Sequence, residues 1–163
     1  FSTESGMLMD EAIMNVILGK YHIRIGRKAA ETLKMALGVE WDLNRDTRIC
    51  EVCGISTISE LPVKIAVTGE IVAQALNPIL YRIFSGITSV IQMTPPAILG
   101  DIREHGIVLI GGVAQLKGLK ELVLKVTDMK AHVADHPSYV NAVGAGSALE
   151  YMDYFRDSLQ YLH

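Results

Sequence analysis

"IVLIGGVAQLKGLKELVLKV", residues 107–126, decides the fold, because an apolar run stops at Gly111-Gly112 and an amphipathic helix pattern follows. Ile107 to Ile110 form a fully apolar strand, and "LKGLKELVLKV" (116–126) has helical apolar spacing. A strand that ends in Gly-Gly and feeds a helix puts its turn at the carboxyl edge of a sheet, where ligands of α/β proteins bind. Glycine there lets backbone and ligand approach closely. The pattern is neither G-x-G-x-x-G nor G-x-x-x-x-G-K-[ST], so the dinucleotide and P-loop readings both fail. Taken alone, the pair reads first as a tight packing turn and second as a ligand contact.

Downstream, "KAHVA" (130–134) reads as a second strand, and "SYVNAVGAGSALEYMDYF" (138–155) as a closing helix after Pro137. Its Gly144, Gly146 and Ser147 imply a close approach to the Gly-Gly strand, since each helical Gly costs about 1 kcal/mol. Upstream, "TPPAILGDIREHG" (94–106) predicts a short helix with Thr94 as N-cap, prolines in the first turn and Gly106 at its end. Before it, Thr68 is placed to cap a helix whose stripe runs from Val72 through Leu76, Ile79, Ile83 and Ile87 to Ile91. Pro78 inside that stripe predicts a kink or an early break.

Further upstream, residues 46–67 are rich in β-branched side chains and are split by "SELP", which predicts a small antiparallel hairpin. Two amphipathic helices open the chain, over 9–20 with Met9, Ile13, Val16 and Ile17, and over 27–37 with Ala30, Leu33 and Leu37. Strands alternating with helices imply βαβ units and a parallel sheet. Two core strands with about three helices make an incomplete sheet, so strands preceding Phe1 are expected. The opening "FSTESGMLMDEAI", with no initiator Met and no signal-peptide pattern, agrees with a piece of a longer protein.

The 163 residues are 50% hydrophobic, with mean hydropathy +0.29, enough for one ordinary core. Arg24, Arg45, Arg82, Asp101 and Lys117 interrupt every apolar run, which excludes a transmembrane helix. A net charge of −3 argues against a nucleic-acid surface, which needs a clustered basic face. Cys50 and Cys53 form a lone CxxC on an extended segment, where residues i and i+3 point to opposite faces, and this argues against metal or redox use. His132 and His136 have zinc-helix spacing in a strand-and-loop segment, and Ser138 near Asp135 lacks any G-x-S-x-G setting. We expect surface roles for these. The seven methionines suit core filling. Glu31 and Lys34, at i and i+3, read as a surface ion pair.

"MDEAI" (9–13), "IGRKAAETLKMALG" (25–38), "TPPAILGDIREHGIVLIGGVAQLKGL" (94–119) and "ADHPSYVNAVGAGSALE" (134–150) together resemble, in order and spacing, the MreB family of bacterial actin-like, rod shape-determining proteins. That family reads approximately I-G-E-x-T-A-E-x-I-K, T-P-P-E-L-x-x-D-I-x-x-x-G-I-x-L-T-G-G-G-A-L-L-x-G-L and E-D-P-x-x-x-V-A-x-G-A-G in the last three stretches. The resemblance implies an α/β, actin-like (ribonuclease H-like) ATPase domain, here truncated to the second domain. Residues 7–69 would be a small α+β outer subdomain, 70–163 an inner nucleotide-facing subdomain lacking its N-terminal strands, and 1–6 a remnant of the preceding segment. Gly111, Gly112, Val113 and Ala114 would form the adenosine turn, with Glu31 and Lys34 as contacts to ribose and base. The longer protein would bind ATP or ADP with Mg²⁺, polymerise with itself and with the missing first domain in place, and act on the cytoplasmic membrane face with the cell-wall synthesis machinery.

The departures are specific. The family's third glycine is Val113, its Thr after the strand is Ile110, and the acidic residue after its I-G is Arg27. Neither phosphate loop, D-L-G-T nor D-I-G-G-G-T, occurs in the sequence, so no ligands for Mg²⁺ or the outer phosphates are visible. We therefore expect no catalytic residue here and no ATP hydrolysis by this chain alone. A non-catalytic, actin-like interaction module that pairs through a sheet edge or apolar face is the alternative.

Overall fold

A computed structural model describes residues 6–39 and 48–151. Residues 1–5 of the expected remnant 1–6, the first residues of the hairpin segment and the end of the closing helix beyond 151 lie outside the described residues, and Gly6 opens the first helix instead.

Helix α1 (Gly6–Tyr21) buries Met9, Ile13 and Ile17, and α2 (Arg27–Leu37) buries Ala30, Leu33 and Leu37, each set at helical spacing. The two helices pack on one another, and α1 also packs against α3 (Gly69–Met93). Between α1 and α2 runs β1 (Ile23–Arg24), which pairs antiparallel with β2 (Ile49–Ser56), itself paired with β3 (Pro62–Thr68). Two residues are too few to show an alternating pattern, so β1 left no sequence signal. Cys50, opposite Val67, lies half-buried on the inner face, whereas Cys53, opposite Lys64, is exposed on the other.

The first half of α3 completes this core with Ile71, Val72, Ala75, Leu76, Ile79 and Leu80. The early break expected at Pro78 does not occur, since the helix is continuous for 25 residues. Pro78 and Gln74, whose carbonyl loses its usual donor, both lie on the exposed side, where water can replace the lost bond. Thr68 occupies the cap position of α3 but makes no side-chain cap bond. Thr94 closes α3 instead of opening α4 (Pro96–His105): its hydroxyl donates to the Val90 carbonyl at 2.8 Å, and Pro95 takes the N-cap position.

Strand β4 (Ile107–Leu109) pairs in parallel with β5 (Ala131–Val133), joined through α5 (Leu119–Thr127) in a βαβ unit. The helix expected from Leu116 starts at Leu119, because Gly118 adopts φ 84° and residues Gly112–Gln115 form a 3₁₀ turn. Gly118 is also a docking point. A Cβ there would overlap the Val39 carbonyl, and one on Gly38 would lie 2.5 Å from the Lys117 carbonyl. This close approach is locked by the Val39 N–H donating to Lys117 O at 2.8 Å.

Helix α6 (Val140–Glu150) buries none of its residues. The close packing inferred from Gly144 and Gly146 is not found, since a Cβ on either would meet nothing within 4 Å. Among the described residues no segment lies against these glycines. No described helix is long and apolar enough to cross a membrane.

Candidate functional site

The Gly-Gly turn is held in place by its backbone. Gly111 takes φ 85°, a conformation that only glycine adopts without strain, and its N–H donates to the Pro137 carbonyl at 2.7 Å. The Ala114 N–H returns to the Gly111 carbonyl at 3.2 Å, which tightens the chain into the 3₁₀ turn. Gln115 donates from its side chain to the Ser138 hydroxyl at 2.8 Å, tying the turn to the loop after β5. Turn and loop thus form one rim.

Opposite this rim stands the α1–α2 pair, and between them lies a cleft of about 550 Å³. Glu31, Lys34, Gly112 and Val113, four of the six residues singled out by sequence, line it together although about eighty positions separate the pairs. Gly111 and Ala114 do not line it. Gly111 shapes the turn behind the cleft, and Ala114 is buried beneath it. A Cβ on Gly112 would meet nothing within 4 Å, so the cleft opens directly over this residue.

The expected Glu31–Lys34 pair does not form. Glu31 accepts from Lys28 at 3.2 Å on the exposed side of α2, while Lys34 turns inward. Lys34 Nζ donates to Asp10 Oδ1 at 2.6 Å and to the Gly6 carbonyl at 3.0 Å. Both side chains are about nine-tenths buried. Sequence reading missed Asp10, Gln115 and Ser138. For Asp10 a signal existed: an acidic residue falls beside Met9 and three before Ile13, on the face of α1 that is otherwise apolar. Gln115 and Ser138 carried none.

Arg27, placed where the related family has an acidic residue, donates to Glu11 of α1 at 3.2 Å and so fastens the start of α2. Val113 stands beside the cleft mouth, its Cγ2 3.8 Å from where a Cβ on Gly6 would lie. Its isopropyl group narrows the space that a glycine would leave.

The lining suits a nucleoside better than a phosphate chain. Val113, Leu116 and Met35 offer apolar surface to a planar base, and the half-exposed Glu31 carboxylate is an acceptor for hydroxyl groups. Lys34, the one buried cation among the described residues, is already paired with Asp10. Among the described residues no cluster of three His, Cys, Asp or Glu side chains is placed to hold a metal ion. His132 is exposed in β5, and His136 sits in the following loop at φ 49°.

The family model for MreB/Mbl protein matches residues 3–157. The chain is 31% identical over 149 residues to the cell shape-determining protein Mbl of Bacillus cereus, covering 91% of this chain and 44% of the relative. It is 32% identical over 148 residues to the cell shape-determining protein MreB of Escherichia coli K12, covering 91% and 42%. The chain therefore spans less than half the length of the curated relatives it matches. Among solved structures, MreB 5 of Spiroplasma citri bound to AMPPNP superposes with TM-score 0.83 at 22% identity, over 96% of this chain and 47% of that one. The MamK double helical filament superposes with TM-score 0.68 at 20% identity, over 85% and 42%. The fold is thus actin-like, and the chain belongs to the MreB/Mbl family of cell shape-determining proteins.

Proposed function

We propose that this chain supplies the adenosine side of an ATP cleft in a filament-forming, actin-like cytoskeletal protein that determines rod shape. The observation that carries the reading is the meeting of Glu31 and Lys34 of α2 with Gly112 and Val113 of the turn around one cleft. Similarity to an MreB bound to AMPPNP and to a MamK filament supports it. In this reading the base lies against Val113 and Met35, Glu31 accepts from the ribose hydroxyls, and Gly112 leaves room for the ring to approach backbone. Polymerisation, Mg²⁺ binding, attachment to the cytoplasmic membrane face and organisation of cell-wall synthesis belong, on this proposal, to the longer protein. Residues 7–69 serve as its outer subdomain and 70–163 as the inner one, with the core of α1 and α2 continuing into the first half of α3 across that division.

Hydrolysis needs groups on the outer phosphates, and the sequence holds neither phosphate loop. The chain alone is accordingly proposed to bind without turning over. Calorimetric titration with ADP tests this: saturable heat competed by adenosine is expected, and flat heats for ADP, ATP and adenosine alike overturn it. A second reading, a non-catalytic module that associates through its apolar surface, is favoured by the exposure of Val90, Met93, Val108 and Val143. Association without any nucleotide heat would select that one.

A further inference from the structure

The Asp10–Lys34 pair is the one buried ion pair among the described residues, and it lines the cleft. Stability does not explain it. Removing two charges from water costs about what their attraction returns, and well-packed apolar residues of the same size serve a core equally well or better. Asp10 also interrupts an apolar helix face on which Met9, Ile13 and Ile17 are almost wholly buried.

What the pair does achieve is placement. A lysine ammonium on four flexible carbons has no preferred position, and a lone buried one is driven to shed its proton or swing to solvent. The short bond to Asp10 and the second bond to the Gly6 carbonyl fix Lys34 Nζ at the cleft wall. Among the described residues these bonds use two of its three donors, and the third remains for an acceptor in the cleft.

We propose that Asp10 is a positioning residue for nucleoside binding: held inside the α1–α2 contact, it sets Lys34 Nζ as a fixed donor to an acceptor atom of the base or ribose. This rests on the adenosine reading above. It also makes the first turns of α1, which contain neither a glycine loop nor a known nucleotide motif, part of the binding wall.

The test compares ADP affinity and thermal stability in the 163-residue chain, in Asp10→Asn, and in the double variant Asp10→Leu/Lys34→Met. The double variant replaces the pair with apolar side chains of similar size, and its Tm is expected to match the wild type or exceed it. ADP binding is expected to weaken about tenfold or more in both variants, the loss of one charge-assisted hydrogen bond. Wild-type affinity in a folded double variant would overturn the positioning role while leaving the adenosine reading intact. Wild-type affinity in Asp10→Asn would do the same. Absence of saturable ADP binding in the wild-type chain would overturn the adenosine reading and Asp10's role with it.

Discussion

The two halves of the described chain are built to different standards. From α1 to the middle of α3, Met9, Ile13, Ile17, Leu33, Val67 and Leu76 are at most 1% exposed, and three helices close over one face of a sheet. From Tyr81 onward the apolar residues are as frequent, yet Val90, Met93, Val143 and Leu149 are each more than 60% exposed. The apolar groove between the end of α3, α4 and β4, about 500 Å³, is lined by Ile87, Ile91, Ile102 and Ile107, and none of the described residues covers it. Among the described residues the core lies mainly in the first half, joined by Leu116 and Leu119, whereas α4 and α6 bury none of their residues. Apolar periodicity therefore specifies a face to be covered, not the element that covers it.

Truncation of a packed side chain should separate the halves most sharply. Leu33→Ala should cost about 2–5 kcal/mol, whereas Val143→Ala should change stability by no more than about 0.5 kcal/mol, both read by denaturant unfolding. Equal costs would mean that the second half has a core of its own. The junction comes next. Gly118→Ala combines a positive-φ strain of about 1–3 kcal/mol with overlap on the Val39 carbonyl, and should loosen the turn from α2. Hydrogen exchange would show it as faster exchange at the Val39 amide, with the α1–α2 core unchanged; uniform loss of protection would mean a single cooperative unit.

A smaller effect concerns the open groove. The chain is expected to self-associate at high concentration, and Val90→Lys with Met93→Lys should shift sedimentation toward monomer with little change in Tm. A wild-type chain that stays monomeric would show that the apolar surface is not an association surface. Smallest of all is the exposed Lys64–Glu51 pair on the outer face of the hairpin. The hydrogen bond from Lys64 to Glu51, aided by their attraction, raises the lysine's pKa. Its contribution is complete below the ordinary lysine value and fades as pH rises through the raised one. Because both side chains are exposed, Lys64→Gln should leave Tm unchanged at neutral pH in moderate salt and flatten the alkaline limb slightly.

Elements with long stripes were legible in the sequence: α1, α2, the hairpin, α3 and the βαβ unit all stand where their apolar spacing put them. Details decided by local hydrogen bonds, solvent exposure or tertiary contact were not. Thr94 was read as a helix start because Ser and Thr favour that position, but its hydroxyl found the Val90 carbonyl one turn back. Pro78 predicts a kink or an early break, yet the helix does not break there, because Pro78 sits on the wet side, where the lost bond is cheap. Leu116 to Lys117 read as helix, but Gly118 had to approach the Val39 carbonyl and turned left-handed to do so. Of the six residues singled out through family resemblance, four line one cleft. Lys34 was assigned the wrong partner, since an i, i+3 rule sees only its own helix, whereas Asp10 lies on α1, 24 positions away.

The central claim is that the cleft over Gly112 holds an adenosine. Gly112→Trp tests it most directly, because a Cβ on this residue meets nothing within 4 Å and Gly112 lines the cleft that the indole would occupy. Calorimetric titration of ADP into the wild-type chain and into this variant at equal Tm should give saturable binding to the first and none to the second. Indistinguishable isotherms, whether both bind or both stay flat, would contradict an adenosine pocket at the Gly-Gly turn.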